Sequence, residues 1–101
     1  MTTYDQCAAA LVFYQPSQAA LCTTLLDCLA DRRVPAPQLV HSSYGVRLDW
    51  PHAQLFCWEE VALIAVPHRR YAWIGQLREP EAVPLDELAR QVEHALHVAQ
   101  Q

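Results

Sequence analysis

The chain has 101 residues, of which 52% are hydrophobic and 18% charged, and its eleven acidic and seven basic side chains leave a formal net charge of −4. That length makes one domain, residues 1–101, able to bury roughly 60–70% of its unfolded surface and so to build a core without metal or disulfide support. The acidic balance, with a pI near 5.6, excludes a binder of nucleic-acid backbone, which needs a basic stripe, and favours a basic protein partner.

Two absences narrow the chemistry. The chain contains neither lysine nor asparagine, so it has no Schiff-base lysine and no P-loop. Both residues have AT-rich codons, which points to a GC-rich bacterial or phage genome. Gly45 and Gly75 are the only glycines, too few for a glycine-rich phosphate cradle or a dinucleotide fingerprint. The first residues, Met1 to Gln6, show no basic segment followed by an apolar one, and no apolar run approaches the roughly 18 residues of a membrane span. These features predict a cytoplasmic protein with no membrane partner. In that compartment Cys7, Cys22, Cys28 and Cys57 are expected to be reduced, and their spacings of 15, 6 and 29 match no zinc or CxxC pattern.

In chain order, Thr3 followed by Gln6 fits a capping box, and Tyr4, Cys7, Ala8, Leu11 and Tyr14 fall on one helical face, predicting a helix over about 4–14. Residues 9–14 also suit a strand, because Val12 and Phe13 lie off that face and favour extended backbone. Pro16-Ser17 reads as a break and an N-cap. After it, Leu21, Cys22, Leu25, Leu26, Cys28 and Leu29 form the apolar stripe of a second helix. That helix is expected to stop near Arg32-Arg33, before Pro35-Ala36-Pro37 enforces extended backbone, and Gln38 to His41 suits a short edge strand.

Tyr44 to Leu77 reads as four strands. Tyr44, Val46, Leu48 and Trp50 alternate with Gly45, Arg47 and Asp49, the period-2 signal of a half-buried strand. Pro51-His52 breaks the run. The next strand, Ala53 to Trp58, is apolar both ways, Leu55 and Cys57 pointing opposite to Phe56 and Trp58. Glu59-Glu60 reads as a turn, and Val61 to Val66 is a continuous apolar run suited to a strand covered on both sides. Pro67-His68-Arg69-Arg70 ends it, and Tyr71 to Leu77 again carries apolar groups on both faces. Past Pro84, Leu85, Leu88, Ala89, Val92, Leu96 and Ala99 make a helical seam, with Asp86 and Glu87 in the first turn and Glu87, Arg90, His94 and His97 on the opposite face. The fold class is therefore α+β: two N-terminal helices, a four- to five-stranded antiparallel β-meander, and a C-terminal helix packed on the sheet.

Catalytic and metal signatures are weak. His94 and His97 sit three apart, within reach of one metal, but no third ligand stands at a motif spacing, and the pair reads as a solvated helix face. Cys57 lies among aromatics on a strand, where a buried thiol acts as a small hydrophobe, and no Cys-His-Asn or G-x-S-x-G signature accompanies it. Glu59-Glu60 reads as a solvated turn, since adjacent strand residues point oppositely. No catalytic, cofactor-binding or metal residue is assigned, and no cofactor is expected.

What remains is excess apolar surface and a polarised sheet. In a meander, turns alternate between the ends, so His52 and His68-Arg69-Arg70 should share one end and Glu59-Glu60 the other. Three strands are apolar on both sides, more than three short helices can cover, and an uncovered patch usually marks an interface. The candidate partner-binding residues are His52, His68, Arg69, Arg70, Phe56, Trp58, Tyr71 and Trp73. The expected function is a small acidic, non-catalytic protein that binds and inhibits or regulates a larger protein, as anti-defence or immunity proteins of bacteria and phages do, and that forms a homodimer or hetero-complex. The alternatives are a secretion-type chaperone or adaptor, and a small Cys/His-dependent enzyme or metal-binding protein. Stacking of nucleic-acid bases on Trp50, Trp58 and Trp73 is disfavoured by the acidic balance and by their core-like spacing. A strongly curled sheet, bulged at Gly75, is the rival to an open apolar face.

Overall fold

Thr3 caps the first helix as its spacing to Gln6 predicts: its hydroxyl accepts from the Gln6 amide at 3.2 Å and its own amide donates to Gln6 Oε1 at 2.9 Å. In the computed structural model, which describes residues 2–42, 45–58 and 60–101, this helix, α1, spans Tyr4–Ala10 and tightens into a 3₁₀ turn over Leu11–Phe13. The helical reading of 9–14 thus holds over the strand reading. Val12 and Phe13, 76% and 84% exposed, lie off the buried side marked by Cys7 and Leu11.

Helix α2 runs Pro16–Asp31, with Gln15 at the N-cap and Pro16 in its first turn. Pro16 therefore starts the helix instead of breaking the chain before Ser17, because a first-turn position needs no N–H and favours the φ that proline fixes. Its end is a Schellman motif. Arg33 takes a left-handed φ of 60°, its amide donates to the Ala30 carbonyl, and the Val34 amide donates to Leu29, satisfying carbonyls the helix leaves open. The proline-rich segment that follows is pinned by three side chains. Tyr4 Oη donates to the Val34 carbonyl at 2.6 Å, Trp50 Nε1 to Pro35 at 2.6 Å, and Cys7 Sγ to Pro37 at 3.2 Å.

Five strands follow, β1 (Gln38–Ser42), β2 (Gly45–Trp50), β3 (Ala53–Trp58), β4 (Val61–Val66) and β5 (Tyr71–Gln76), then α3 (Leu85–Ala99). They form one antiparallel meander in sequence order. Tyr44 and Glu59, expected in the second strand and the turn after the third, lie outside the described residues. The α+β fold with a C-terminal helix on the sheet is as the residue pattern predicts. The β4–β5 register is continuous from Val61↔Gln76 to Val66↔Tyr71, with no bulge at Gly75. Gly75 serves another purpose. A Cβ there would stand 2.3 Å from the Trp73 ring, so the missing side chain is the space that ring occupies. At Gly45 a Cβ would stand 2.1 Å from the Cys57 carbonyl oxygen, so backbone passes where a side chain would be.

All three helices serve one side of the sheet. α3 lies across β3, β4 and β5, α2 packs on α3, and α1 touches α2 and β1. The single core joins Val46, Leu48, Trp50, Leu55, Cys57, Ala62, Ile64 and Val66 from the sheet to Leu25, Leu29, Leu88 and Val92 from the helices. Ala62, Ala89 and Ala95 are fully buried within it, small side chains that let elements approach closely. The expectation that β4 is covered on both sides is corrected here: Ala62, Ile64 and Val66 are buried, whereas Val61, Leu63 and Ala65 are only half-buried, because no helix crosses to their side.

Candidate protein-binding surface

Strand register shows which residues share the uncovered side. Arg47 pairs with Phe56, Phe56 with Leu63, and Leu63 with Ile74, while Val40 faces Arg47 across the first pair. Residues opposite one another in a ladder project to the same face. One row therefore crosses all five strands as Val40, Arg47, Phe56, Leu63 and Ile74. Toward the end that carries Glu60 the next row holds Trp58, Val61 and Gln76; toward the other end it holds Gln38, Asp49, Gln54, Ala65 and Ala72.

The chemistry of this face is that of a core without a partner. Ile74 is 66% exposed and Trp58 42%, and the Phe56 and Trp58 rings stack at 6.0 Å with 27° between their planes. Adjacent aromatics of this kind present large rigid area at low entropic cost, the composition of interface anchors. The only charges among its described residues are Arg47 and Asp49, 2.8 Å apart. Arg47 Nε and Asp49 Oδ1 are shielded from solvent and make no aligned hydrogen bond, so Coulomb attraction alone holds this pair and leaves the face neutral.

A second cluster forms at one end of the sheet, as meander topology requires. The His52 and His68 rings meet edge-on with centroids 5.0 Å apart, bringing the β2–β3 and β4–β5 turns together. Two residues here hold left-handed backbone, His52 at φ 69° and Arg70 at φ 52°. Pro51 cannot take positive φ, so in a two-residue turn the demand falls on His52. Arg70 caps the 3₁₀ turn Pro67–Arg69, its amide donating to the Pro67 carbonyl. His52, His68, Arg69 and Arg70 are all exposed. Among the described residues, Arg69 and Arg70 form no ion pair, whereas Arg32, Arg47, Arg78 and Arg90 each do.

The eight candidate residues thus divide into three places. His52, His68, Arg69 and Arg70 cluster at the basic end, and Phe56 with Trp58 stands on the open face. Tyr71 and Trp73 pair with Val66 and Ile64 on the covered side, where Tyr71 meets the His94 ring of α3 edge-on at 5.7 Å. Their strand neighbour Ile74 takes the open face instead. Residue-by-residue reading passed over Ile74, Leu63 and Val61 as site residues; the signal for them was their alternation with the buried set, legible once register was known.

Several other chemistry-bearing groups are committed elsewhere. Burial pushes the Cys57 thiol up to about 12 and the Cys22 thiol to about 11, and it raises Cys7 as well. A thiol held neutral in this way is a poor nucleophile and a poor metal ligand near pH 7. Glu87 is held down at about 2 by hydrogen bonds from Arg90 and Gln91, and Glu93 pairs with Arg32 at 3.2 Å. Among the described residues no three His, Cys, Asp or Glu side chains gather as a metal site requires. A groove of about 540 Å³ beside β2, lined by Pro35, Gln38, Asp49, Trp50 and Pro51 among others, offers a single ionisable group, the Asp49 that Arg47 already engages. Among the described residues no helix is long and apolar enough to cross a membrane. No protein-family model matches the chain, and no curated protein or solved structure does.

Proposed function

We propose that this chain is a non-catalytic binding protein that engages a larger protein and thereby inhibits or regulates it, in the manner of small anti-defence or immunity proteins of bacteria and phages. The observation that carries the reading is the open sheet face, where Phe56, Trp58, Val61, Leu63 and Ile74 stand together on the side no helix covers. A contiguous patch of this kind costs solubility and invites aggregation, so a fold that keeps one has a use for it. The basic end adds direction. His52, His68, Arg69 and Arg70 sit on a chain of net charge −4, and an acidic patch on the partner would meet them, steering approach and fixing orientation.

The test is a comparison of baits. Wild-type protein and the double variant Phe56→Ser/Ile74→Asp are immobilised and exposed to extract of the native host, with the folding of both checked by circular dichroism. One protein retained in near-stoichiometric amount by wild type, lost from the double variant, and altered in activity by soluble wild-type protein supports the function. A protein held equally by both baits removes the open face as its docking surface.

A further inference from the structure

We propose that, when no other protein occupies the open face, a second copy of this chain covers it, face to face and with its strands running opposite to those of the first. The proposal rests on the reading of this face as an interface and adds what sits on it in the free protein.

Charge is the first support. Two copies of an acidic chain repel, yet stacking them on this face adds no net charge between them, since the only charges among its described residues are Arg47 and Asp49, which pair with each other. The acids of the helices, Asp5, Asp27, Asp31, Asp86, Glu87 and Glu93, are carried by the opposite side of the sheet and end up outermost.

Relief and polarity set the orientation. On β3 the face rises from Gln54 at the basic end through Phe56 to Trp58 at the Glu60 end, and on β4 and β5 the basic end is low, where Ala65 and Ala72 stand. A two-fold axis lying between the sheets and perpendicular to the strands sets the Trp58, Val61 and Gln76 end of each copy over the Gln54, Ala65 and Ala72 end of the other. The same operation lays the His52, His68, Arg69 and Arg70 end of one copy near the partner's opposite end, where, among the described residues, Glu60 stands with Arg78, Glu79 and Glu81, the last three on the segment that leaves and rejoins β5 at Gln76. An isologous contact of this form closes on itself and makes a dimer, not a fibre.

Size is the third support. Five strands about 4.8 Å apart, four of them six residues long and β1 five, at about 3.3 Å per residue give a footprint of roughly 500 Å² in projection. Side-chain relief adds to that, so two such faces bury on the order of 1,200 Å² or more, within the range of specific protein interfaces. Sheets stacked this way sit about 10 Å apart, a gap that large apolar side chains fill. A larger partner then has to displace the second copy, which couples partner capture to dimer dissociation.

Sedimentation velocity and light scattering between about 1 and 200 μM test the inference on wild type, Ile74→Asp, Ala72→Arg and Phe13→Ser. Ile74 and Ala72 are exposed in the single chain, so their variants should fold, as melting curves will verify. The expected result is a wild-type species of twice the 11.5 kDa chain mass, an unchanged Phe13→Ser dimer, and an apparent Kd raised at least tenfold for both sheet variants. A dimer that Ile74→Asp leaves intact uses another surface and overturns the inference. A wild-type monomer at every concentration overturns it too. Acrylamide quenching of that monomer against a Trp58→Phe variant then separates the two readings: an accessible Trp58 leaves the open face for a different protein, and a shielded one removes the interface itself.

Discussion

Truncating Leu88 in α3 tests the whole arrangement of helix on sheet. Its side chain is 1% exposed within the common core. Leu88→Ala removes three carbons, about 2.4 kcal/mol of transfer free energy at about 0.8 kcal/mol each. A residual cavity of about 50 Å³ adds about 1 kcal/mol at about 24 cal/mol per Å³, for a total of about 3 to 4 kcal/mol. For a domain of this length that lowers Tm by on the order of 12 to 30 °C. Leu96 is only half-buried, so Leu96→Ala should cost roughly half as much. His97→Ala should change almost nothing, and His94→Ala should cost no more than about 1 kcal/mol, the value of one edge-on ring contact with Tyr71. The measurement is urea unfolding followed by far-UV circular dichroism, with tryptophan fluorescence as the second probe. A loss below about 1 kcal/mol for Leu88→Ala at an unchanged m-value would falsify the packing described for α3, and a metal-dependent loss for either histidine variant would overturn the reading of that helix face.

Three further predictions concern the basic end, the glycines and the buried thiols. Arg69→Glu/Arg70→Glu should weaken binding to an identified partner and make the remaining affinity less sensitive to salt, with Tm unchanged; equal binding would reduce that end to an ordinary solvated turn. Gly45→Ala should destabilise strongly because its Cβ meets the Cys57 carbonyl, whereas Gly75→Ala meets a movable Trp73 ring and should chiefly alter near-UV circular dichroism and fluorescence; the reverse order of stability loss would contradict both glycine assignments. Cys22 and Cys57 ionise at about 11 and about 12 in the folded chain and near 9 once unfolded, so between pH 9 and 12 the unfolded state binds fewer protons and stability falls as pH rises. The slope should be shallower in Cys22→Ala/Cys57→Ala, below pH 9 the two thiols should add no pH dependence, and an unchanged alkaline slope would show that these thiols are not the groups responsible.

The sequence by itself determined the kinds of element and most of their limits, because those depend on local chemistry. Apolar residues three and four apart between Leu85 and Ala99 admit one helical face, and Pro51 and Pro67 cannot continue a ladder. The alternation of β2 is legible for the same reason. The neighbourhood of His52 and His68 also followed from sequence, since consecutive antiparallel strands return every second turn to the same end. Tertiary structure alone decided which face is open. In β4, Val61, Leu63 and Ala65 are as apolar as Ala62, Ile64 and Val66, and parity says only that the two sets oppose each other. The choice was made where α3 lands, against the set that includes Ala62, through its own Ala89 and Ala95. That landing also drew Tyr71 and Trp73 under the helix and left Ile74 outside. Two close fits complete it, the Trp73 ring over Gly75 two residues along β5 and the Cys57 carbonyl against Gly45 on the neighbouring strand, and the second joins residues twelve apart in the chain.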